Sequence, residues 1–344
     1  MASIRSILGK LKHPVKRSSE LRRLLRVCHK FSPFYTSGFL SALKRGVALH
    51  KNQGFSSEEI ERYVLLNPDL SHKDLLRFIS KKKLISMQGK LNPRSWSRVT
   101  EDKALFYRYF EGLGLAVPHI YALFFRCTPG FCTNGKFLCN RKDWFRFLEE
   151  DLPGEFVIKP SRGVLGKNIG LFSRKNRIFK DAHGQIYQAG DVYNTMAQDP
   201  LFDRFVIQQR LKNHPEILRL TGNPLVQTMR IITFTDKAGE CRILVGGFRI
   251  LVGENVIDNF SSGRSGNLMA PIDLDTGELG PAKAREANGI IRDIRRHSKT
   301  GELIQGFNLP QWKRCRALIE NAAIKMLPIR TIGWDVALTP RGPV

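Results

Sequence analysis

Apolar positions recur along the chain with two different spacings, and the change from one to the other falls near residue 100. In the first part Ile4, Ile7, Leu8 and Leu11 stand at i, i+3, i+4 and i+7, the stripe of one helical face, until Pro14 interrupts it. Leu21, Leu24, Leu25 and Cys28 repeat that spacing. Ser56-Ser57-Glu58-Glu59-Ile60 and Ser71-His72-Lys73-Asp74-Leu75 put a hydroxyl cap and an acid ahead of an apolar run, which predicts two helix starts. Thr100-Glu101-Asp102 predicts a further capped start, for a helix through Lys103, Phe106, Tyr109 and Phe110 to Gly112 or Gly114. Runs rich in β-branched and aromatic residues then take over, at 120–125, 155–158, 205–208, 228–235, 241–250 and 331–338. Residues 228–235 and 241–250, joined by Asp236-Lys237-Ala238-Gly239-Glu240, predict an antiparallel hairpin. A helix over 311–326 precedes Pro328. The pattern is that of an α+β fold on antiparallel strands, preceded by a helical N-terminal region.

Charge sharpens that division. The 344 residues carry 56 Lys and Arg against 31 Asp and Glu, a net of +25. Residues 1–110 hold 23 basic and 8 acidic side chains, so +15 of that excess sits in the first third. The chain therefore divides into a basic helical region over 1–97 and a second region over 98–344. Arg5, Lys10, Lys12, Lys16, Arg17, Arg22, Arg23 and Arg26 surround the first two apolar stripes. Such helices suit peripheral contact of residues 1–30 with an anionic membrane, unless both stripes dock on the protein's own core. Lys81-Lys82-Lys83 reads as a solvated face, since it lacks the flanking aromatics of RNA-stacking surfaces. No apolar run approaches the roughly 20 residues that span a bilayer, and no secretory h-region is present. Six dispersed cysteines without a Cys-x-x-Cys pair read as reduced thiols, not a zinc site or a disulfide scaffold. A cytoplasmic protein is expected, with peripheral association at the inner membrane face.

Candidate chemistry gathers around residue 160. Phe156-Val157-Ile158-Lys159-Pro160 is a buried-strand pattern ending in lysine, and Ser161-Arg162-Gly163-Val164-Leu165-Gly166-Lys167-Asn168 is a polar glycine loop. Glycines let backbone amides approach phosphate oxygens, and lysine supplies a point charge. The spacing is neither that of a Walker A loop nor that of a Gly-x-Gly-x-x-Gly turn, and a plain surface hairpin is the other reading.

The loop has companions in a telling order. These are Asn92-Pro93, Glu101-Asp102-Lys103, Gly114-Leu115-Ala116-Val117-Pro118, Phe205-Val206-Ile207-Gln208-Gln209-Arg210-Leu211 and Gln227-Thr228-Met229-Arg230. Gly246-Gly247-Phe248-Arg249, Val256-Ile257-Asp258-Asn259-Phe260-Ser261-Ser262-Gly263 and Gly333-Trp334-Asp335-Val336-Ala337 follow. Taken together, residues 90–344 resemble the ATP-grasp superfamily, and within it the sugar-transfer-associated ATP-grasp family.

The resemblance implies an ATP-grasp fold, with a lid-bearing subdomain over about 98–211 and a C-terminal subdomain over 212–344. It implies ATP and Mg²⁺ as cofactors and a carboxylate–amine ligase acting through an acylphosphate, in exopolysaccharide or cell-surface metabolite biosynthesis. The substrates implied are a carboxylate-bearing small molecule or sugar-linked compound and an amine or hydroxyl acceptor. Lys103, Lys159, Ser161, Gly163 and Gly166 are implied to meet the phosphates. Gln208, Gln209 and Leu211 would hold adenine, Gln208 standing where many relatives have Glu. Arg230 and Arg249 would stabilise the transferring phosphoryl group, Asp258 and Asn259 would face the substrate, and Asp335 would bind the metal. Asp335 also stands out by itself, because an unpaired carboxylate on an apolar strand is costly.

Two departures qualify this picture. The paired glycine after the Asp-Asn loop appears here as Gly263-Arg264. Thr339-Pro340-Arg341-Gly342-Pro343-Val344 stands where the family continues into a strand carrying Glu-x-Asn, which implies a C-terminal strand cut short and an incomplete second magnesium site. Two other readings follow: a nucleotide-binding relative without catalysis, and, from the charge alone, a basic nucleic-acid-binding protein.

Overall fold

The structure, a computed structural model, describes residues 14–163, 168–286 and 291–344. It divides into two compact units, one of residues up to Leu91 with Arg285–Arg292, the other of Asn92–Ala284 with Asp293–Val344. The first apolar stripe, Ile4 to Leu11, lies outside the described residues, as does Gly166 of the glycine loop.

In the first unit the helices are α1 (Pro14–Phe31), α2 (Gly38–Gln53), α3 (Ser57–Arg62), α4 (His72–Leu75) and α5 (Lys81–Leu91). Pro14 opens α1, a position where its missing amide leaves no bond unmade. Leu24 and Cys28 of the second stripe are buried with Leu49, Phe55, Ile60 and Leu66 in one core. Those two residues of the stripe thus face the unit's own interior, while Leu25 stays exposed. Ser56 with Glu59 and Ser71 with Asp74 form reciprocal capping boxes at the starts of α3 and α4, as the sequence pattern predicts.

The second unit begins with α6 (Ser97–Glu101) and α7 (Lys103–Gly112). The expected cap over residues 100–102 narrows to one residue. Asp102 lies between the two helices in extended conformation, and its Oδ1 accepts the amides of Ala104 and Leu105 at 3.0 and 3.4 Å.

Two antiparallel sheets follow. The first joins β1 (Ile120–Phe125), β2 (Gly130–Cys132), β3 (Phe137–Leu138), β4 (Glu155–Pro160), β5 (Gly170–Lys175), β6 (Ile178–Asp181), β7 (Ile186–Tyr187) and β8 (Arg204–Gln209). Their order is β3-β2-β1-β8-β4-β5-β6-β7. Helices α8 (Arg141–Arg146) and α9 (Ala189–Ala197) contribute Trp144 and Val192 to a core with Phe124, Phe156, Ile158 and Ile207.

After α10 (Pro215–Thr221) comes the second sheet, of β9 (Thr228–Thr235), β10 (Cys241–Ile250), β11 (Leu268–Pro271), β12 (Ala282–Arg285), β13 (Ile291–Ile294), β14 (Thr331–Thr339) and β15 (Gly342–Pro343). Its order is β13-β12-β11-β10-β9-β14-β15. The hairpin of β9 and β10 forms in antiparallel register, Cys241 opposite Thr235. Helix α11 (Trp312–Lys325) packs Ile319 and Ala323 against Met229, Ile231, Phe248 and Trp334. The last residues run back along β14, with Val344 and Ala337 exchanging both backbone bonds. The α+β layout expected from the apolar pattern is therefore the one observed. Among the described residues no helix is long and apolar enough to cross a membrane.

Asn92 fixes the segment that leads into the second unit. Its Oδ1 accepts the amides of Arg330 and Thr331, each at 3.0 Å, and its Nδ2 donates to the Thr331 carbonyl at 2.8 Å. Asn92→Ala leaves these backbone groups without that partner and should lower stability by about 1–3 kcal/mol. Urea unfolding followed by tryptophan fluorescence checks this; an unchanged midpoint would show that water replaces the amide without cost.

Candidate functional site

Alternation along β4 and β8 decides what faces the cavity. Phe156, Ile158, Phe205 and Ile207 point into the core of the first sheet. Val157, Lys159 and Gln208 therefore point the other way, and Gln208 lies directly opposite Val157 in the register. They line a cavity of about 920 Å³ within the second unit, together with Lys103, Tyr107, Gln209, Leu211, Arg249, Asp258 and Asp335.

The start of α7 is joined to the end of β4. The Lys103 amide donates to the Ser161 carbonyl at 2.8 Å, and the Ser161 hydroxyl donates to Asp102 Oδ1. Lys103 Nζ donates to the Gly163 carbonyl at 2.7 Å. Lys159 Nζ donates to the Tyr107 hydroxyl at 2.6 Å and lies 5.0 Å from the centre of that ring. Burial pushes both ammonium groups down to about 8, and for Lys103 the charge on Lys159 lowers it further while Asp102 opposes the change. Burial likewise raises Tyr107, with a smaller contribution from Asp335, so the phenol stays protonated. Two cations held partly out of water, with few compensating anions, are suited to a polyanion.

Gln208 is 4 % exposed, and among the described residues its Oε1 is a buried acceptor with no donor. Its Nε2 reaches only the Gln209 carbonyl, at 3.4 Å. Gln209 and Leu211 continue the wall where β8 ends. A group carrying an N–H beside an acceptor would complete this edge.

The opposite wall comes from the second sheet by the same alternation. Met229, Ile231, Phe248, Ile250, Trp334 and Val336 enter the core, so Thr228, Arg230, Arg249 and Asp335 share the other face. Asp335 stands opposite Arg230 in the register of β14 and β9. Its Oδ1 receives both Arg230 Nη1 and Arg249 Nη2 at 2.9 Å. Arg249 is mostly buried, and its Nη1 donates to the Thr228 hydroxyl at 3.0 Å and approaches Asp258 Oδ1 at 3.9 Å. Thr228 in turn donates to Asp258 Oδ2 through its hydroxyl and its amide, the latter at 2.7 Å. Burial pushes the Asp258 carboxyl up, against the pull of Thr228 and Arg249. Gly333 makes room for this arrangement, since a Cβ there would come within 2.9 Å of the Arg230 guanidinium.

A divalent cation would have to use what these residues leave free. Both arginines contact Oδ1 of Asp335, so Oδ2 is the oxygen available to a cation. Among the described residues no group of three or more His, Cys, Asp or Glu side chains could hold a metal ion. The donors fit Mg²⁺ as one carboxylate ligand, with phosphate and water oxygens supplying the rest.

Eight of the residues singled out from the sequence thus line one cavity: Lys103, Lys159, Gln208, Gln209, Leu211, Arg249, Asp258 and Asp335. Arg230 joins them through Asp335. Ser161 is 2 % exposed and off the wall, acting on Lys103 and Asp102 instead. Gly163 contributes its carbonyl to Lys103. Asn259 is turned into its own loop, its Oδ1 accepting the Ser261 amide at 3.3 Å. Tyr107 and Thr228 were not singled out for chemistry, because their partners lie far away in sequence. Asn267 is another such residue. Its Nδ2 holds the carbonyls of Ile257 and Asn259, and its Oδ1 accepts from Val252 and Asn255, which fixes the loop bearing Asp258.

With this geometry in place, similarities to known proteins can be stated. The profile of a family described as "Sugar-transfer associated ATP-grasp" matches residues 83–344. No curated protein sequence matches the chain. Among solved structures, the chain is similar to N5-carboxyaminoimidazole ribonucleotide synthetase in its ADP complex, at 11% identity and TM-score 0.38, covering 70% of this chain and 42% of that one. It is similar to an L-amino acid ligase from Bacillus licheniformis at 11% identity and TM-score 0.35, covering 71% and 38%. D-alanyl-alanine synthetase A from Vibrio cholerae O1 biovar eltor gives 11% identity and TM-score 0.39, covering 72% and 54%. The chain thus spans less than two thirds of the length of each of these proteins.

The lowered lysines predict a pH dependence. Ammonium groups with pKa about 8 carry their charge at neutral pH and lose it as pH rises through that value, well before an ordinary lysine near 10.5. Inorganic pyrophosphate should therefore bind at neutral pH and weaken steeply through pH 8 by calorimetry. Tyr107→Phe removes the hydrogen bond that favours the charged form of Lys159, so the same decline should begin at lower pH. A profile flat to pH 10, or one unmoved by Tyr107→Phe, would remove these groups from the anion site.

Proposed function

The chain belongs to the sugar-transfer associated ATP-grasp family, and on that premise we propose that it is an ATP- and Mg²⁺-dependent carboxylate–amine ligase. Its setting would be the biosynthesis of an exopolysaccharide or another cell-surface metabolite. The observation that carries the reading is the pairing, in one cavity, of two half-buried ammonium groups with Gln208 Oε1, which has no donor among the described residues. Lys103 and Lys159 would take the phosphate oxygens. Gln208 Oε1 would accept from the exocyclic amine of adenine, and the backbone near Gln209 and Leu211 would meet the ring edge. The two sheets would be the lobes that enclose the nucleotide.

The chemistry then follows from charge. An oxygen of the substrate carboxylate attacks the γ-phosphorus of ATP, the bond to the β,γ-bridging oxygen breaks, and ADP and an acylphosphate result. An amine next adds to the acyl carbon, the C–O bond to phosphate breaks, and the amine loses a proton as the amide forms. Arg249, held by Thr228 and shared by two carboxylates, is oriented to meet negative charge developing on the transferring group. Groups in this role contribute about 10²–10³ in rate. Arg230 would assist at the more exposed side. Mg²⁺, with Asp335 Oδ2 as its protein ligand, would supply neutralisation of the phosphate charge. Asp258 and Asn259 belong to the loop that would face the carboxylate substrate.

Calorimetry with ATP tests the nucleotide assignment. Lys159→Ala should weaken binding by about tenfold or more, and Gln208→Leu, which removes the acceptor, should weaken ATP while sparing inorganic pyrophosphate. Unchanged ATP affinity in both variants would overturn the reading. A second prediction separates binding from chemistry. Arg249→Ala should lower the rate of phosphate release in the presence of substrate by about 10²-fold with ATP affinity nearly kept. Equal losses in both would make Arg249 a ground-state nucleotide ligand.

A further inference from the structure

The first unit carries a feature that the cavity does not use. Helix α5 is an 11-residue helix in which no residue is buried. Helices shorter than about 12–15 residues are marginal by themselves in water and depend on packing an apolar face. Its first turn is anchored: the Lys81 amide donates to Glu59 Oε1 at 2.6 Å, and buried Ser80 donates through its hydroxyl to the Gln53 carbonyl at 2.9 Å. Beyond that turn nothing among the described residues buries it. Leu84, Ile85 and Met87 are 41%, 56% and 50% exposed. Leu84, Met87 and Leu91 stand at i, i+3 and i+7, one stripe, with Lys83 and Lys90 beside it. Among the described residues no atom lies within 4 Å of where a Cβ at Gly89 would stand.

Charge identifies the partner. Residues 71–91 hold six basic side chains and a single acid, Asp74. That acid is bound to the Ser71 hydroxyl and amide at 2.6 and 3.0 Å. The segment therefore carries an excess of positive charge around exposed aliphatic carbon. A nucleic acid would use the charge and leave the aliphatic stripe in water. The boundary between headgroups and acyl chains uses both.

We propose that α5 and the turn before it form an interfacial surface that seats on an anionic lipid bilayer. Leu84, Ile85 and Met87 enter the acyl boundary, and Lys81, Lys82 and Lys83 meet the headgroups. The proposal stands independently of the nucleotide site.

The test is co-sedimentation of the full chain with vesicles of phosphatidylcholine containing phosphatidylglycerol, against phosphatidylcholine alone. The chain should pellet with the anionic vesicles only. Ile85→Ser with Met87→Ser, and separately Lys82→Gln with Lys83→Gln, should each lower the partition coefficient about tenfold. These side chains are exposed, and an unchanged circular dichroism spectrum confirms that the variants fold. Absence of binding, or binding unaffected by the Ile85 and Met87 changes, would overturn the proposal. So would single-stranded RNA that displaces the chain from vesicles and binds the Ile85 and Met87 variant equally well. Self-association abolished by the same pair, without vesicle binding, would assign the face to a second copy of this chain.

Discussion

The candidate site depends on the join between the start of α7 and the end of β4. A lysine beginning a helix and a lysine near the end of a strand would ordinarily belong to unrelated surfaces. Here the Ser161 carbonyl accepts the Lys103 amide, and Asp102 binds both the Ser161 hydroxyl and the first amides of α7. Asp102 is buried, so a carboxylate that would be costly alone is met by donors from two elements. The same contact that caps the helix therefore sets where both ammonium groups stand. Tyr107, one turn into α7, then reaches Lys159, so the helix closes on the strand a second time.

Across the cavity the constraint is the two-faced nature of β9, β10 and β14. Each strand must give its large apolar residues to one core, and that requirement forces the intervening residues into one row. The row consists of opposite charges in close order. Arg249 answers Asp335 and Asp258 together, while Thr228 both donates to Asp258 and accepts from Arg249. No member of this set is isolated, which is how charge persists on a partly buried sheet face.

Much of this was legible in residue order. The runs at 228–235, 241–250 and 331–338 coincide closely with β9, β10 and β14, because long strands buried on one side leave a strong alternating signal. The two-residue strands β3 and β7 left none, being defined by neighbours and not by composition. Capping residues at 56 and 71 were readable, since a cap acts within three residues of itself. Tyr107 was not, because what gives it a role is a lysine 52 residues away. Ser161 shows the converse. Its place in a glycine loop suggested contact with phosphate, whereas its hydroxyl is turned inward to Asp102. Sequence spacing identified which residues gather here, and packing decided which way each one faces.

Gly333 separates two properties that are usually tied together. Its backbone conformation is ordinary, so the strand would accept a side chain there without strain. What a methyl group would meet is the far end of Arg230, within 2.9 Å, and a flexible guanidinium can swing aside. The fold would scarcely register the exchange, yet the cation would leave its post beside Asp335. Thermal shift and expression yield, the usual screens for a harmful variant, would be blind to it. At this position tolerance of the architecture and tolerance of the chemistry are different quantities, set by a single hydrogen atom.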